Sequence, residues 1–238
     1  MKKNRITNLI GLIVRMIRFN FRIVFANRFI WFLLASVGFY IGLTVIYAFS
    51  ENISRMEDMY GILLFSGILV VFYPTVFGIQ NDQDARTIEI LFGIPNYRYK
   101  VWLVRIVLTF LMAFIILFIF ALLSSAFLVS FNPVIMAAQV MMPVLFLGVM
   151  AFMLSTIVRN GNGTAVIMLI FGILFMVTSD ALERSRWNVF LNPFKVPNNI
   201  SETAWQSIAV DNRIALACAI ALFLLAALYN LQKREKFM

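Results

Sequence analysis

The sequence predicts an all-α membrane protein with six transmembrane helices, an amphipathic N-terminal interfacial helix and a short cytoplasmic helix between the second and third spans. Two observations predict this class. Of the 238 residues, 62% are hydrophobic and only 13% are charged, which is too few charged side chains to coat a water-soluble domain. The apolar residues are also gathered into stretches long enough to cross a bilayer.

The predicted spans each contain about 20 mainly apolar residues, the length that a helix needs to cross the hydrocarbon core. The third is long enough to tilt and the fifth is short for a full crossing. No repeat or linker divides the chain, so we expect one six-helix membrane domain over 29–231 and a cytoplasmic tail over 232–238. The spans lie at about 29–49, 61–80, 102–130, 134–158, 163–180 and 213–231.

Residues 1–28 precede the first span and predict a helix lying in the cytoplasmic interface. At 100° per residue, Arg15, Arg18 and Arg22 fall in one narrow polar arc, and isoleucines fall opposite. The arginines would then face lipid head groups or a partner. A positively charged anchor without a defined helix is the alternative.

The placement of lysine and arginine predicts the orientation. With the N terminus inside, 15 of the 20 Lys and Arg residues fall in cytoplasmic segments, as the positive-inside rule requires. We therefore expect a multi-pass protein of the cell membrane, of the bacterial inner-membrane type, with both termini cytoplasmic. The net charge of +9 has its largest block beside the first span, which favours anionic lipid over nucleic acid as its partner.

Several kinds of chemistry are disfavoured. Histidine is absent and the single cysteine, Cys218, lies in an apolar run, so the commonest metal ligand and general base are missing. Thirteen scattered methionines favour adaptable packing, with copper binding as a lesser alternative. The spans hold almost no ionisable residue, and Arg105 is expected to snorkel to the interface. If the chain moves a substrate, we expect the energy for transport to come from a motor outside this chain.

Polar residues within the spans are expected to form hydrogen bonds between helices rather than contact a substrate. Pro74 in the second span is expected to kink the helix and create a hinge. The polar residues are Thr44, Tyr47, Ser66, Tyr73, Thr109, Ser124, Ser125, Gln139, Ser155 and Thr156.

The loop after the second span predicts a short capped helix over about 82–95. Asp82 or Asp84 can accept from the first free amides, and Gly93 followed by Pro95 ends the helix. Three large apolar side chains would share one face of it, at the spacing i, i+3, i+4. They are Ile88, Leu91 and Phe92. Because these side chains are costly to leave in water, they predict a groove on a partner, or the bilayer.

This loop resembles that of the permease subunits of type-2 ABC exporters, in which an acidic residue precedes a Gly-Thr-Leu-Glu-Leu-Leu-like helix and a Leu-Pro turn. The matching residues are Arg86-Thr87-Ile88-Glu89-Ile90-Leu91 and Ile94-Pro95. Arg86 replaces the usual glycine, so the start of the helix is expected to differ. The six spans, the leading helix and Leu191-Asn192-Pro193-Phe194 before the last span are also similar in layout.

The resemblance implies that this loop is a coupling helix, which docks in a groove of a separate ATP-hydrolysing subunit. Glu89 would orient or clamp that contact. The residues implied in coupling to the ATPase are Asp84, Arg86, Thr87, Ile88, Glu89, Leu91, Phe92 and Pro95. ATP and Mg would be held by the partner and no cofactor by this chain, whose sequence has no Gly-x-x-x-x-Gly-Lys-Ser/Thr loop. An interfacial helix over 84–92 with Glu89 in water is the alternative.

Residues 181–212 form the largest predicted outer segment and carry several aromatic side chains. These favour either anchoring in the outer interface or short re-entrant helices that cap a pathway. The segment is too short for a folded substrate-binding domain, so any such domain would belong to a partner.

The expected function is the transmembrane permease subunit of an ATP-driven ABC export system, paired with a second permease subunit of the same or a related chain and with ABC ATPase subunits. A force-transmitting subunit without substrate flux is the nearest alternative. A passive channel lacks a filter motif, and an intramembrane enzyme would have only the acids of Asp82 to Glu89 to work with. The sequence does not identify the substrate.

Overall fold

The computed structural model describes residues 29–49, 55–84, 97–197 and 199–232, and all regular elements within these ranges are helical. Six of the described helices are long and apolar enough to cross a membrane. The predicted all-α class with six spans is therefore confirmed. The helices are α1 (Phe29–Phe49), α2 (Met56–Val76), α3 (Gly78–Asp84), α4 (Tyr97–Phe127), α5 (Pro133–Val158), α6 (Gly161–Ala181) and α7 (Glu202–Gln232).

Helices α2 and α5 form the centre of the bundle. They pack on each other more extensively than any other pair, and α1, α4, α6 and α7 pack around them. In each of the two central spans 72% of the most apolar stretch is buried, against 17% in α1, 11% in α6 and 17% in α7. The outer helices thus present wide apolar faces, which lipid accepts at little cost.

Two glycines allow the central helices to approach closely. A methyl group on Gly67 of α2 would lie 2.9 Å from Cγ2 of Val144 on α5 and 3.0 Å from Cδ1 of Leu117 on α4. On α5, a methyl group at Gly148 would lie 2.7 Å from Cε1 of Phe110 on α4. Small residues at such crossings are a general device of membrane bundles, because they maximise van der Waals contact between backbones.

Hydrogen bonds fasten α1 to this centre. The Ser36 hydroxyl donates to the Ser66 carbonyl of α2 at 2.9 Å. The Tyr40 hydroxyl lies 2.9 Å from both the Phe120 carbonyl and the Ser124 hydroxyl of α4, and its ring stacks on the Phe120 ring at 4.2 Å. The predicted role of polar residues in helix contacts is confirmed at Ser124. By contrast, the Ser66 hydroxyl donates within its own helix, to Ile62.

A short turn joins α5 to α6. Asn132 caps the start of α5 by accepting from the Val134 amide at 3.0 Å, and α5 ends at Arg159, whose φ of 58° is left-handed. Asn160 then caps α6 by accepting from the Gly163 amide at 3.1 Å. Helix α6 has 21 residues, so the span predicted to be short is long enough to cross.

The helix that contains the last span begins at Glu202 rather than near residue 213. Asp211, Asn212 and Arg213 interrupt the apolar run, which is why the sequence predicted a loop up to this point. The helix continues through them because Asn212 and Arg213 find hydrogen-bond partners inside the protein. The predicted outer segment is thus irregular only between α6 and α7.

We predict that Gly67→Ala lowers the free energy of unfolding by about 1–3 kcal/mol, because the new methyl group overpacks the contact of α2 with α5. Gly61→Ala on the same helix is the matched control, since a methyl group there meets nothing within 4 Å. That variant should be neutral or stabilised by up to about 1 kcal/mol through helix propensity. Reversible unfolding in mixed detergent micelles measures both, and equal effects would contradict the proposed close packing.

Candidate functional site

The central helix α2 is interrupted near its end. Pro74 cannot donate a hydrogen bond and its ring crowds the preceding turn, which weakens the helix at this point. α2 ends at Val76, and Phe77, with φ of −98° and ψ of −6°, separates it from α3. The predicted disturbance by Pro74 therefore coincides with a break in the helix just beyond it.

Side chains of α3 hold it against the rest of the bundle. Oε1 of Gln80 accepts a hydrogen bond of 2.6 Å from the amide of Gly161, the first residue of α6. This amide has no partner within its own helix, so Gln80 satisfies a donor that would otherwise be unpaired. The amide of Asn81 donates to the Tyr73 hydroxyl at 3.0 Å, across the break. We call this junction of α3 with the α5–α6 turn the Gln80 end of the bundle.

The absence of a side chain at Gly161 makes the junction possible. A methyl group there would overlap the Phe77 ring and lie 2.7 Å from Oε1 of Gln80. The turn itself is well braced, because the Thr164 hydroxyl donates to the Asn160 carbonyl at 2.9 Å. Displacement of α3 would therefore be passed to α6 rather than lost in a flexible loop.

Two aromatic rings and a cation line the beginning of α4 at this end. The Arg105 guanidinium lies 4.8 Å from the centroid of the Trp102 ring, and the Trp102 ring lies 5.9 Å from that of Phe152 on α5. Arg105 is only 6% exposed within the bundle, and its expected reach to the interface stays a prediction. The indole face offers the guanidinium a favourable contact inside the bundle.

The predicted coupling segment joins the bundle at the Gln80 end. Asp84 is the last residue of α3, and Tyr97 begins α4. The other residues predicted to contact an ATPase lie outside the described residues, as do the interfacial Arg15, Arg18 and Arg22. Those outside in the loop are Arg86, Thr87, Ile88, Glu89, Leu91, Phe92 and Pro95. Their roles stay predictions.

At the opposite end, the described residues among 182–201 fold over the bundle as a cap. Asn212 is fully buried, and its amide donates to the carbonyls of Arg186 at 2.9 Å and Asn188 at 2.8 Å. The Asn192 amide donates to the Glu57 carbonyl at 2.9 Å, which attaches the cap to α2. The described residues of the cap form turns, so the predicted alternative of re-entrant helices is not what is found.

Arg213 lies at the centre of the polar contacts beneath the cap. Its Nε donates to Oε1 of Gln139 on α5 at 2.9 Å, and its Nη1 donates to Oδ1 of Asn212 at 2.9 Å. Nη2 lies 3.2 Å from the Tyr60 hydroxyl of α2 and 3.3 Å from the Leu191 carbonyl. One side chain thus joins α2, α5, α7 and the cap, and we call this the Arg213 end.

The sequence did not single out Arg213, because it was assigned to a loop. The signal that could have found it is the helical pattern of residues 202–231, which has the adjacent Asn212 and Arg213 as its main polar interruption. A polar pair inside a long apolar helix is costly unless it serves packing or binding.

An apolar cleft of about 360 Å³ lies between the two ends, bordered by α1, α2, α5 and α6. Its walls include Phe32, Phe72, Gly148 and Ile173. The hydroxyl of Thr75, also at its wall, is engaged by the Val71 carbonyl at 2.7 Å. The cleft can accept an apolar chain but offers little to orient a polar group.

Comparison with models of known protein families, with curated proteins and with solved structures finds no match. Among the described residues, no group of His, Cys, Asp and Glu side chains could hold a metal ion. The functional argument therefore rests on the two polar ends and the apolar cleft between them.

We predict that Asn212→Ala loosens the cap, because it removes both hydrogen bonds to Arg186 and Asn188 from a buried site. Each unsatisfied buried group costs about 1–3 kcal/mol, so trypsin should cleave after Arg184 and Arg186 at least about tenfold faster. Asp211→Ala, at the exposed neighbouring position, is the control and should leave the rate unchanged. Equal rates in both variants would show that the cap does not depend on Asn212.

Proposed function

We propose that this chain is the transmembrane permease subunit of an ATP-driven export system of the ABC type, with ATPase subunits on separate chains. The observation that carries the proposal is the junction at the Gln80 end. Here the segment that resembles a coupling helix is continuous with α3, and α3 is hydrogen-bonded to the first amide of α6. The Gln80 end is then cytoplasmic, in agreement with the distribution of lysine and arginine.

The path of a mechanical signal follows from the burial of the helices. The central α2 and α5 are held on several sides, whereas α6 is the least buried span and packs mainly on α5. A push on residues 85–96 would pivot α3 at Phe77 and press Gln80 against Gly161. Because α6 has the fewest constraints, it moves relative to α5.

This motion would reach the apolar cleft. Met168, Leu169, Gly172, Ile173 and Met176 of α6 form one wall of the cleft, and α2 and α5 form the opposite wall. Displacement of α6 therefore widens or narrows a space lined by apolar side chains. The described lining has no titratable group, so ATP hydrolysis on a partner supplies the energy rather than a proton or ion gradient.

In the working assembly two such chains pair, each with one ABC ATPase subunit that binds ATP and Mg. This chain binds lipid on its outer faces and holds no cofactor of its own. The apolar cleft favours a substrate with an apolar chain.

A force-transmitting subunit that moves no substrate uses the same junction. One observation favours it: α6 runs directly into the cap, where the Ser179 hydroxyl lies 3.1 Å from Oδ1 of Asn188 and the Asn188 amide donates to the Ser179 carbonyl at 3.2 Å. Movement of α6 would then displace the cap and anything bound to it. Release of a fluorescent lipid from reconstituted vesicles indicates transport, whereas ATP turnover without release indicates force transmission.

We predict that an ATPase co-purifies with this protein from its native membrane in mild detergent. Leu91→Asp should reduce the recovered ATP turnover at least about tenfold, because the new carboxylate would enter an apolar groove of the ATPase. Glu89→Ala is expected to reduce recovery more modestly. Glu183→Ala is the matched control, because it removes an exposed acid at the Arg213 end. A protein that purifies intact without ATPase activity would overturn the proposal.

A second prediction concerns the junction. The rate of hydrogen exchange of the amides in residues 159–164 should change when the assembled complex binds ATP and Mg. Gly161→Ala should abolish this change, because the new methyl group displaces Phe77 and Gln80. Gly172→Ala on the same helix meets nothing within 4 Å and serves as the control. If the complex assembles but the exchange rate at 159–164 does not change on nucleotide binding, the start of α6 does not respond to the ATPase, which would contradict the prediction.

A further inference from the structure

The charge of Arg213 is balanced by no carboxylate among the described residues. Its hydrogen bonds are to an amide oxygen of Gln139, an amide oxygen of Asn212, the Tyr60 hydroxyl and the Leu191 carbonyl. The ion pairs in the described ranges are elsewhere, between Arg55 and Glu57 and between Lys195 and Glu183. Neutral dipoles orient the guanidinium but leave one full positive charge in a partly buried place.

A cavity of about 400 Å³ lies directly beside this charge, between α5 and α7. Its polar wall consists of Arg213 and Gln139, and its other wall is apolar. Val210 and Ile214 on that wall are 58% and 57% exposed, so the cavity opens to the outside of the bundle. The apolar lining is completed by Ala209 and Ala217.

Donors remain for a ligand in this cavity. A guanidinium has five N–H groups, and the four hydrogen bonds of Arg213 leave one N–H on Nη1. Gln139 accepts from Arg213 through its oxygen, which leaves its amide N–H groups. A guanidinium and an amide together suit an oxyanion such as phosphate or carboxylate.

The depth of Arg213 matches the level of lipid head groups. Residues 213–232 of α7 span about 30 Å at 1.5 Å per residue, which is the thickness of the hydrocarbon core. The preceding residues of α7 then project beyond the hydrocarbon, together with the cap. With Gln232 placed at one boundary of the hydrocarbon core, Arg213 would lie at the other, where a cation meets amphiphiles rather than free ions.

We propose that this cavity binds the anionic head group of a membrane amphiphile, whose apolar chain follows Ile214 and Ala217 along α7. The head group, a phosphate or a carboxylate, pairs with Arg213 and accepts from Gln139. The ligand then completes the junction of α2, α5, α7 and the cap. The site lies on a different side of α5 from the apolar cleft and does not depend on the export function.

The rival explanation is that Arg213 only fastens the cap. In that case its acceptors require a donor but no charge, and filling the cavity should have no effect on lipid selectivity. Binding of anionic lipid and stability of the cap must therefore be measured separately.

The test titrates the purified full chain in detergent with phosphatidylglycerol or phosphatidylcholine and counts bound lipid by native mass spectrometry. Phosphatidylglycerol is expected to bind at least about tenfold more tightly, as one charge-assisted pair would give. Glycerol 3-phosphate offers a phosphate group, as a monoester, without the apolar chains, and it should not displace the lipid at equal concentration. Displacement by glycerol 3-phosphate would overturn the assignment to an amphiphile.

Three variants locate the site. Arg213→Gln should remove the preference for phosphatidylglycerol, and Ala217→Trp should reduce binding at least about tenfold by filling the cavity while leaving the hydrogen bonds of Arg213 intact. Cys218→Trp, at the adjacent exposed position outside the cavity, should bind like the unaltered protein. Because Ala217→Trp spares the cap, it tests the proposal even if Arg213→Gln fails to fold. An unchanged lipid preference in Ala217→Trp would overturn the proposal.

Discussion

In a bilayer the hydrophobic effect does not draw helices together, because lipid chains are as apolar as the side chains that face them. The contact of α2 with α5 must therefore be maintained by close packing and by hydrogen bonds. Gly67 provides the close packing of α2 on α5, because Cγ2 of Val144 lies within the space that a methyl group would need, and Gly148 allows the same approach of α4 to α5 through Phe110. The remaining helices are arranged around this pair. An outer helix that shares few close-packed or hydrogen-bonded contacts with α2 and α5 is freer to move.

Polar contacts are concentrated at the two ends of the central pair. At the Gln80 end a break after Pro74 creates a short helix, and a single side chain links it to the first amide of α6. At the Arg213 end one guanidinium joins three helices to the cap. The middle of the bundle contains the apolar cleft. Relative motion of the helices therefore costs least free energy where their contacts are purely apolar. The polar contacts at the two ends determine which helices move together.

The sequence predicts the class and the number of spans because both follow from composition and from the length of apolar runs. It also predicts the disturbance at Pro74, which needs only the chemistry of one residue. It fails where tertiary partners decide the outcome. Helix α7 continues through Asn212 and Arg213 because the cap and α5 offer acceptors. These acceptors are too far from α7 in the sequence to be inferred from hydropathy.

The fold separates two properties that the proposed permease function requires. Specificity for a charged group requires fixed donors, and these are available beside Arg213 at the level of the head groups. A path for an apolar chain requires a wall that can shift, and α6 provides one because little of its surface is fixed against the centre. Helix α6 also connects the Gln80 junction to the cap through Ser179 and Asn188. In the proposed mechanism, a displacement that begins at Gly161 would act on the cleft and on the cap together, so a single helix would couple opening of the cleft to release of the cap.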